Sequence, residues 1–441
     1  MIDHPTPAEL EAFVWDRGPA GGAPEIAAHL IRCEACLAAA MPHLLAIFGQ
    51  AEPSERLLSP EEDAAYEAAL DRAFATTRQR ASQVHEERKR EALVLLAGAD
   101  PDALPVIPAS LRGIPLVEAL LELSRSYRHG DPERMIRLAE WAWFFAEKGR
   151  IPDLSPKQLA DFQCKVLLEL GNAYRVADDL DEAQHVLGHA TVRFVNGTGD
   201  ELLEARLLDV NASFFGARRD FDVAEAALYC VVKAHLAHGD KHRAGRALIK
   251  KGIYVGYQGE AEEAVRLLRQ GLELAGDQDP GLVFLALHNQ ARFLADCGRL
   301  QDAQKVIFEL RRRDLKPAGR ISELKVRWLE GQIHVGLGRL DRAERALRAV
   351  KEEFNEIKLG YKAALAALEL GAVLLRQGDK DGAQAEIVPA LNVFLALKIQ
   401  REALAVVLLL KRGAERRKID AKLLEYVISL LRRGEDTLDG E

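Results

Sequence analysis

Small residues recur inside apolar stretches of this chain at a fixed spacing. In four segments a glycine is followed twelve residues later by an alanine, and in two more an alanine takes the place of that glycine. The six pairs are Gly171 with Ala183, Ala212 with Ala224, Gly252 with Ala264, Ala291 with Ala303, Gly331 with Ala343 and Gly371 with Ala383. Their second members follow one another at steps of 41, 40, 39, 40 and 40 residues. This period predicts a repeat array in which two helices of each unit cross closely at the small residues.

A turn signal separates the two predicted helices of most units. Glycine stands at 259, 298, 338 and 378, and acidic residues follow each of them within a few positions. Glycine readily takes the left-handed conformation that ends a helix, and acidic side chains favour the first turn of the next one. We therefore expect a helix, a glycine turn and a second helix in each unit.

The glycine with its aromatic or aliphatic neighbour, followed by the alanine, resembles the tetratricopeptide repeat (TPR) family across residues 163–397. The period of 40 exceeds the usual length of about 34 in that family, so each helix should be longer, and HEAT-like helix pairs are an alternative. Glycine at the turn favours the TPR interpretation. The resemblance implies an all-α protein built as a right-handed α-solenoid.

The segments that flank the array also carry helix signals. Residues 116–147 read as a degenerate repeat with Met135 at the alanine position, and its Trp141, Trp143, Phe144 and Phe145 are expected in the core. Residues 401–433 should form a helical cap that covers the last apolar face, before an acidic tail.

Before the array, Ser59 and Pro60 predict the start of a long helix that runs toward Leu96. Prolines at 101, 105 and 108 then interrupt the chain. The predicted division is a zinc-binding module in 1–48, a linker and long helix in 49–110, the solenoid in 111–400, and capping helices with an acidic tail in 401–441.

Composition narrows the function classes. The chain has 441 residues, 48% of them hydrophobic, 29% charged and only 6% aromatic, as expected for long amphipathic helices. A formal net charge of -8 argues against a nucleic-acid partner. Neither a basic-then-apolar leader nor a stretch long enough to cross a membrane is evident, so we expect a cytoplasmic protein.

One cluster of potential metal ligands stands near the start of the chain. His29, Cys33 and Cys36 are spaced at i, i+4 and i+7, which places them on one face of a helix or helical turn. A closed zinc site takes four ligands, and the nearest further candidate is His4. The alternative is that these residues form the apolar face of an ordinary helix, since small buried cysteines are common.

The run from His4 to Phe13, the alanine-rich stretch after it, and then His29 with the two cysteines resemble the zinc-binding domain of anti-sigma factors over residues 1–43. The resemblance implies that zinc pins the helices together and that the module clasps a sigma factor of the extracytoplasmic-function type. It also implies that the thiolates sometimes act as a redox trigger. Residues 16–22 depart from the family, because glycine and proline replace a compact acidic turn.

Four protein ligands would leave no position open for water, so the predicted Zn2+ is structural rather than hydrolytic. A zinc–thiolate site can lose its metal when the cysteines oxidise, which makes redox sensitivity a hypothesis for this one. Cys164, Cys230 and Cys297 lack histidine or aspartate at a useful spacing and are expected to be buried packing residues.

Aligning the units on their second-helix alanines predicts which first-helix residues face inward, toward a concave strip that suits an extended peptide or an acidic helix. These residues are polar and more often basic than acidic: Lys165, Asn172, Arg175, Arg206, Asp209, Arg246, Lys250, Tyr257, His288, Asn289, Arg292, Lys325, Trp328 and Gln332. Taken one at a time, they could equally be solvated positions without a ligand.

Motifs of common enzyme classes are not found. The chain has no phosphate-binding Gly-Lys-Ser/Thr loop, no strand-borne Gly-x-Ser-x-Gly and no His-Glu-x-x-His, and residues 196–200 read as a turn between helices. The sequence therefore predicts a non-enzymatic regulator that couples an anti-sigma-like zinc module to a protein-binding array. The alternative is a scaffold whose zinc module is purely structural.

Overall fold

The computed structural model describes residues 4–14, 26, 29–30, 33–48, 60–98, 103–128, 130–149, 151, 154–313, 320–396 and 421–435. Within these ranges every regular element is a helix: α1 Pro7–Val14, α2 Glu34–Phe48, α3 Pro60–Ala97, α4 Ile114–Ser126, α5 Pro132–Lys148, α6 Pro156–Val176, α7 Leu180–Val195, α8 Glu201–Ala217, α9 Phe221–Ala237, α10 Lys241–Tyr257, α11 Ala261–Ala275, α12 Pro280–Asp296, α13 Leu300–Arg312, α14 Arg320–Gly336, α15 Leu340–Glu356, α16 Gly360–Gln377, α17 Lys380–Ala396 and α18 Ala421–Glu435. A single 3-10 turn, Ala109–Leu111, precedes α4.

Packing divides the chain into two units, Met1–Gln83 and Val84–Glu441, with the division inside α3. In the first unit α1 packs against α2. Among the described residues, the core beside these helices contains Leu10, Leu30, Cys36 and Ala40, all buried.

In the second unit consecutive helices pack as pairs, from α4 with α5 to α16 with α17. The second helices of the six predicted repeats begin at residues 180, 221, 261, 300, 340 and 380, at steps of 41, 40, 39, 40 and 40. The predicted α-solenoid and its period are therefore confirmed.

Close helix crossing explains the small residues. All six second-helix alanines, 183, 224, 264, 303, 343 and 383, are fully buried. A Cβ added at Gly171 would lie 2.7 Å from Leu187 Cδ2, and one added at Gly371 would lie 2.5 Å from Ile387 Cγ1. Side chains on the partner helix thus fill the space that a larger residue would need.

The turns inside the repeats are as predicted where glycine is present. Gly259 and Gly378, for example, have φ of 96° and 89°. In two earlier repeats Asp178 and Arg219 take the same conformation, with φ of 64° and 65°. The sequence did not mark these two turns, because a non-glycine residue can occupy the left-handed region at a cost of about 1 kcal/mol.

The flanking segments agree with the predictions in part. Met135 is buried in the first helix pair, as expected. Trp141, Trp143 and Phe145 pack partly buried against the core. Phe144 is 52% exposed, so its placement in the core was wrong.

Two further expectations about the flanking segments fall partly on residues outside the described ranges. The long helix does start at Pro60, whereas the predicted cap Ser59 lies outside the described residues. The predicted cap over 401–433 is described only in α18, which packs against α16. There the Tyr361 hydroxyl donates to the Leu431 carbonyl at 2.9 Å.

Candidate metal centre and first-helix strip

A capping box fixes the start of α1 and with it the position of His4. The Thr6 hydroxyl accepts from the Glu9 amide at 3.3 Å, and the Glu9 carboxylate accepts from the Thr6 amide at 2.7 Å. Pro7 occupies the first helical position, which suits its fixed φ. His4 is therefore held two residues before a well-defined helix start.

Cys33 and Cys36 are arranged by the start of α2. Cys33 is not helical and directly precedes Glu34, the first residue of α2, while Cys36 lies in the first turn. His29, Cys33 and Cys36 were expected on one face of a helix or helical turn, and they do not lie on one continuous helix, because Cys33 is not helical. Cys33 instead stands where an N-cap residue stands, and the backbone amide of Cys36 stabilises its thiolate and lowers the pKa of Cys33.

The four predicted ligands converge on one point. The ligand atoms of His4, His29, Cys33 and Cys36 all lie within 4.8 Å of one another. His4 Nδ1 is 3.3 Å from Cys36 Sγ and 3.5 Å from Cys33 Sγ. For zinc with N and S ligands at about 2.0–2.3 Å, tetrahedral coordination places N and S roughly 3.5 Å apart, close to both separations.

The donor set fits a metal ion better than ordinary packing. The Nε2 atom of His29 is buried and has no hydrogen-bond partner among the described residues. A ring nitrogen left without a partner in an apolar setting is unfavourable, and a bound cation would satisfy its lone pair. The rings of His4 and His29 meet nearly at right angles, with centroids 5.1 Å apart. The cluster could therefore hold a metal ion, and two thiolates with two imidazoles favour zinc.

We define the first-helix strip as the predicted inward positions on α6, α8, α10, α12 and α14. Three of these side chains are exposed: Lys165, Arg206 and Arg246. The structure places Asn172, Asp209, Lys250, Tyr257, His288, Arg292, Lys325 and Gln332 half-buried. Arg175, Asn289 and Trp328 are buried, so they belong to the packing between repeats more than to the surface.

Ion pairs join successive first helices along the strip. Arg206 of α8 donates to Glu169 of α6 at 2.7 Å. Lys250 of α10 donates to Asp209 of α8 at 2.6 Å and to the Ser213 hydroxyl at 2.9 Å. Burial lowers the pKa of Lys250. At Asp209 burial raises the pKa, but the charge and hydrogen bond of Lys250 together with the charges of Arg206 and Arg246 outweigh it, so the pKa of that carboxyl is lowered.

A second polar cluster ties α14 to α16. Trp328 Nε1 donates to the buried carboxylate of Glu369 at 2.8 Å, and the Gln332 amide donates to the same group at 3.2 Å. Sequence reasoning missed Glu369, and it also missed Glu169. Both stand two residues before the glycine of their repeats, the register position that Lys250 occupies in its own repeat. The position two residues before the glycine could therefore have identified both glutamates from the sequence. With them included, the first-helix strip is less uniformly basic than predicted.

Aromatic rings and the half-buried His288 lie near the middle of the strip. The Arg292 guanidinium stacks over the Tyr257 ring at 5.3 Å. The His288 ring stacks on Phe284 at 6.0 Å. Burial, together with the charges of Lys325 and Arg292, lowers the pKa of His288 to about 3. His288 is therefore neutral at physiological pH.

The Lys250–Asp209 pair should contribute measurably to stability. We expect Lys250→Met to lower the free energy of unfolding by about 1–2 kcal/mol, because it leaves the Asp209 carboxylate without its closest cation. The value is below that of a fully buried pair, since each side chain is 23% exposed. Denaturant titration of Lys250→Met, Asp209→Asn and the double variant measures the coupling. Strict additivity of the two single effects would contradict the pairing.

His288 should make stability depend on pH. Its pKa is about 3 in the folded chain and about 6.5 when unfolded, so only the unfolded state binds this proton between those pH values. Stability is therefore lost as pH falls from about 6.5 toward 3. We expect His288→Leu to make the decline in melting temperature over this range shallower. Parallel curves for parent and His288→Leu would contradict the assignment.

Other sequence expectations can be scored directly. Cys164 is fully buried, as predicted, but Cys230 is exposed, so its assignment to the core was wrong, and Cys297 is intermediate.

Residues 196–200 do form the turn between α7 and α8, where Thr198 donates to Asp161 through its amide at 3.1 Å and its hydroxyl at 2.6 Å. Among the helices that the structure describes, none has the length and apolar character needed to cross a membrane.

Comparison with solved structures places the solenoid in a known fold. A Rap protein complexed with competence and sporulation factor is similar over 74% of this chain and 88% of its own, with a TM-score of 0.52 and 14% identity. A signal transduction ATPase with numerous domains and a tetratricopeptide repeat sensor, from Pyrococcus horikoshii, is similar over 91% of this chain with a TM-score of 0.50 and 14% identity. This chain spans 62% of that protein's length.

A tetratricopeptide repeat protein from Parabacteroides merdae is similar over 67% of this chain and 98% of its own, with a TM-score of 0.43 and 16% identity. No protein-family model and no curated protein matches the chain. At these identities the likeness concerns the fold alone. The second unit is a TPR-like α-solenoid, which confirms the fold class predicted from the repeat.

Proposed function

We propose that this chain is a non-enzymatic, cytoplasmic regulator in which an anti-sigma-like zinc module is coupled to a TPR-like array that binds a protein or peptide. The observation that carries the proposal is the convergence of His4, His29, Cys33 and Cys36 within 4.8 Å. The predicted four-part division, with the module in 1–48 and the array in 111–400, is part of this proposal.

The zinc module's own residues support a structural role for the metal. His4 precedes α1 and Cys36 lies in α2, so one ion would join the two helices. With four protein ligands the ion has no open position for substrate. Zinc would supply rigidity there, and oxidation of Cys33 and Cys36 would release it.

The array's surface supports protein binding. TPR-like arrays present a continuous surface lined by first helices, and the Rap protein of the same fold was solved with competence and sporulation factor. On the first-helix strip Lys165, Arg206 and Arg246 are exposed. Their charges favour a partner segment that carries carboxylates.

Affinity capture tests the regulator role. The full-length protein and its Cys33→Ser/Cys36→Ser variant are each used as bait in lysate of the native host. Recovery of an extracytoplasmic-function-type sigma factor with the parent, and at least tenfold less with the variant, supports the proposal. Absence of any sigma factor from both captures overturns the sigma-binding part.

A scaffold with a purely structural zinc module is the second candidate, favoured by the extent of the array relative to the module. If the protein is such a scaffold, the amount of partner recovered by affinity capture depends on the first-helix strip and not on Cys33 and Cys36. The distinguishing variant is Arg206→Glu/Arg246→Glu, matched by Arg269→Glu/Arg345→Glu at exposed positions of α11 and α15. If the partner is lost only with Arg206→Glu/Arg246→Glu and kept with Cys33→Ser/Cys36→Ser, the scaffold interpretation holds.

A further inference from the structure

Two histidines on the solvent-facing side of α7 lie close enough to share one ion. His185 Nε2 is 3.2 Å from His189 Nε2, and the ring centroids are 4.7 Å apart with an interplanar angle of 80°. Both side chains are exposed. The opposite side of α7 is buried against its neighbours through Ala183, Val186, Leu187 and Ala190. The helix therefore holds the pair on a rigid, packed support.

The separation of the two nitrogens suits a metal as well as a hydrogen bond. Side chains four residues apart lie on the same side of a helix, which brings these rings together. Two imidazole nitrogens at about 2.0–2.1 Å from one ion are roughly 2.9 Å apart at a right angle and roughly 3.4 Å apart at the tetrahedral angle. The observed 3.2 Å lies between these limits. At this separation a single cation lies within coordination distance of both nitrogens once the two rings turn toward it.

The surroundings leave room for such an ion. The solvent-facing surface around the two rings is open and is formed by Asp181, Gln184, His185, Gly188, His189 and Val192. Gly188 has no atoms within 4 Å of the position that a Cβ would take, so nothing crowds the rings from that side. Asp181, one turn before His185, adds negative charge to the same side of the helix.

We propose that His185 and His189 form a second metal site for a divalent transition ion of the Ni2+, Cu2+ or Zn2+ class. Imidazole nitrogen suits these ions, and two protein ligands leave the other coordination positions to water or to a donor from another molecule. This site is solvent-open and exchangeable, unlike the four-ligand cluster at the start of the chain. It does not depend on the function proposed above.

Calorimetric titration with Ni2+ tests the site. The full-length His4→Gln/Cys33→Ser/Cys36→Ser protein serves as parent, so that the N-terminal cluster keeps only His29 and offers no second pair of ligands. We expect one Ni2+ per chain, with affinity lowered at least tenfold by His185→Gln and equally by His189→Gln. Affinity should also fall on acidification, because protons compete for the same nitrogens.

His334→Gln is the matched control. His334 is the only histidine of α14, so no second imidazole on its helix can share an ion with it, and this change should leave the affinity unaltered. Melting curves of each variant confirm that the solenoid is folded. The proposal is overturned if the parent binds no Ni2+, or if His185→Gln and His189→Gln bind it as tightly as the parent.

Discussion

The Cys33→Ser/Cys36→Ser variant should contain almost no zinc, whereas the parent purified from zinc-supplied cells should contain about one ion per chain. Thiolates are the strongest zinc ligands in the cluster, and two imidazoles alone hold the ion far more weakly. Elemental analysis of both proteins measures the difference. Cys230→Ser/Cys297→Ser is the matched control, because neither residue is near the cluster in sequence or belongs to it, and it should keep the full zinc content.

Loss of zinc should unfold the first unit and spare the second. Structural zinc contributes on the order of 10 kcal/mol to the folding of small domains. We expect hydrogen exchange in α1 and α2 to reach the unfolded rate in the serine variant while α6–α17 stay protected. A zinc-free parent, or a serine variant with unchanged protection in α1 and α2, would contradict the metal assignment.

The repeat was predictable because close helix crossing leaves a strict requirement for small residues. A Cβ added at Gly171 or Gly371 would lie less than 3 Å from side-chain atoms of the partner helix. A larger residue at either position would therefore overlap with them. The turns were predictable only where glycine marks them. Asp178 and Arg219 adopt the same left-handed backbone conformation, although neither is glycine, the residue type from which that conformation is predicted.

The sequence predicted that the four side chains of the metal cluster form one set of candidate ligands, which the structure brings together, but it did not predict their local structure. The spacing of His29, Cys33 and Cys36 fits one helical face, but a Cys-x-x-Cys pair at the start of a helix brings its sulfurs together equally well. The structure uses the second arrangement. The sequence contains no signal that separates the two, because both satisfy the same spacing.

The exposure of side chains on the first-helix strip was predicted less well, because a side chain there can be covered by the neighbouring repeat. Trp328 was expected at the surface but is covered, and its indole donates to Glu369 41 residues away. Such contacts join the first helices of adjacent repeats. A prediction from one repeat at a time therefore misses them.

Gly245→Ala should destabilise the array strongly. A Cβ at Gly245 would lie 2.4 Å from the Ala275 amide nitrogen and 2.4 Å from the Gly271 carbonyl oxygen. Because both obstructing atoms belong to the backbone of α11, no rotamer change can relieve the overlap, and α10 must move away from α11. Overpacking of this kind costs about 2–3 kcal/mol, to be measured as a lower denaturation midpoint with faster hydrogen exchange in α10 and α11.

Gly188→Ala separates this overlap from the general effect of placing alanine in a helix. Gly188 lies inside α7 with nothing within 4 Å of the Cβ position, so alanine there should raise the free energy of unfolding by about 0.5–1 kcal/mol through its better helix propensity. Glycine-to-alanine substitution is thus expected to lower the free energy of unfolding at Gly245 and to raise it at Gly188. If Gly245→Ala proves neutral or stabilising, α10 and α11 do not approach as closely as the structure places them, and the small residues of the repeat need another explanation.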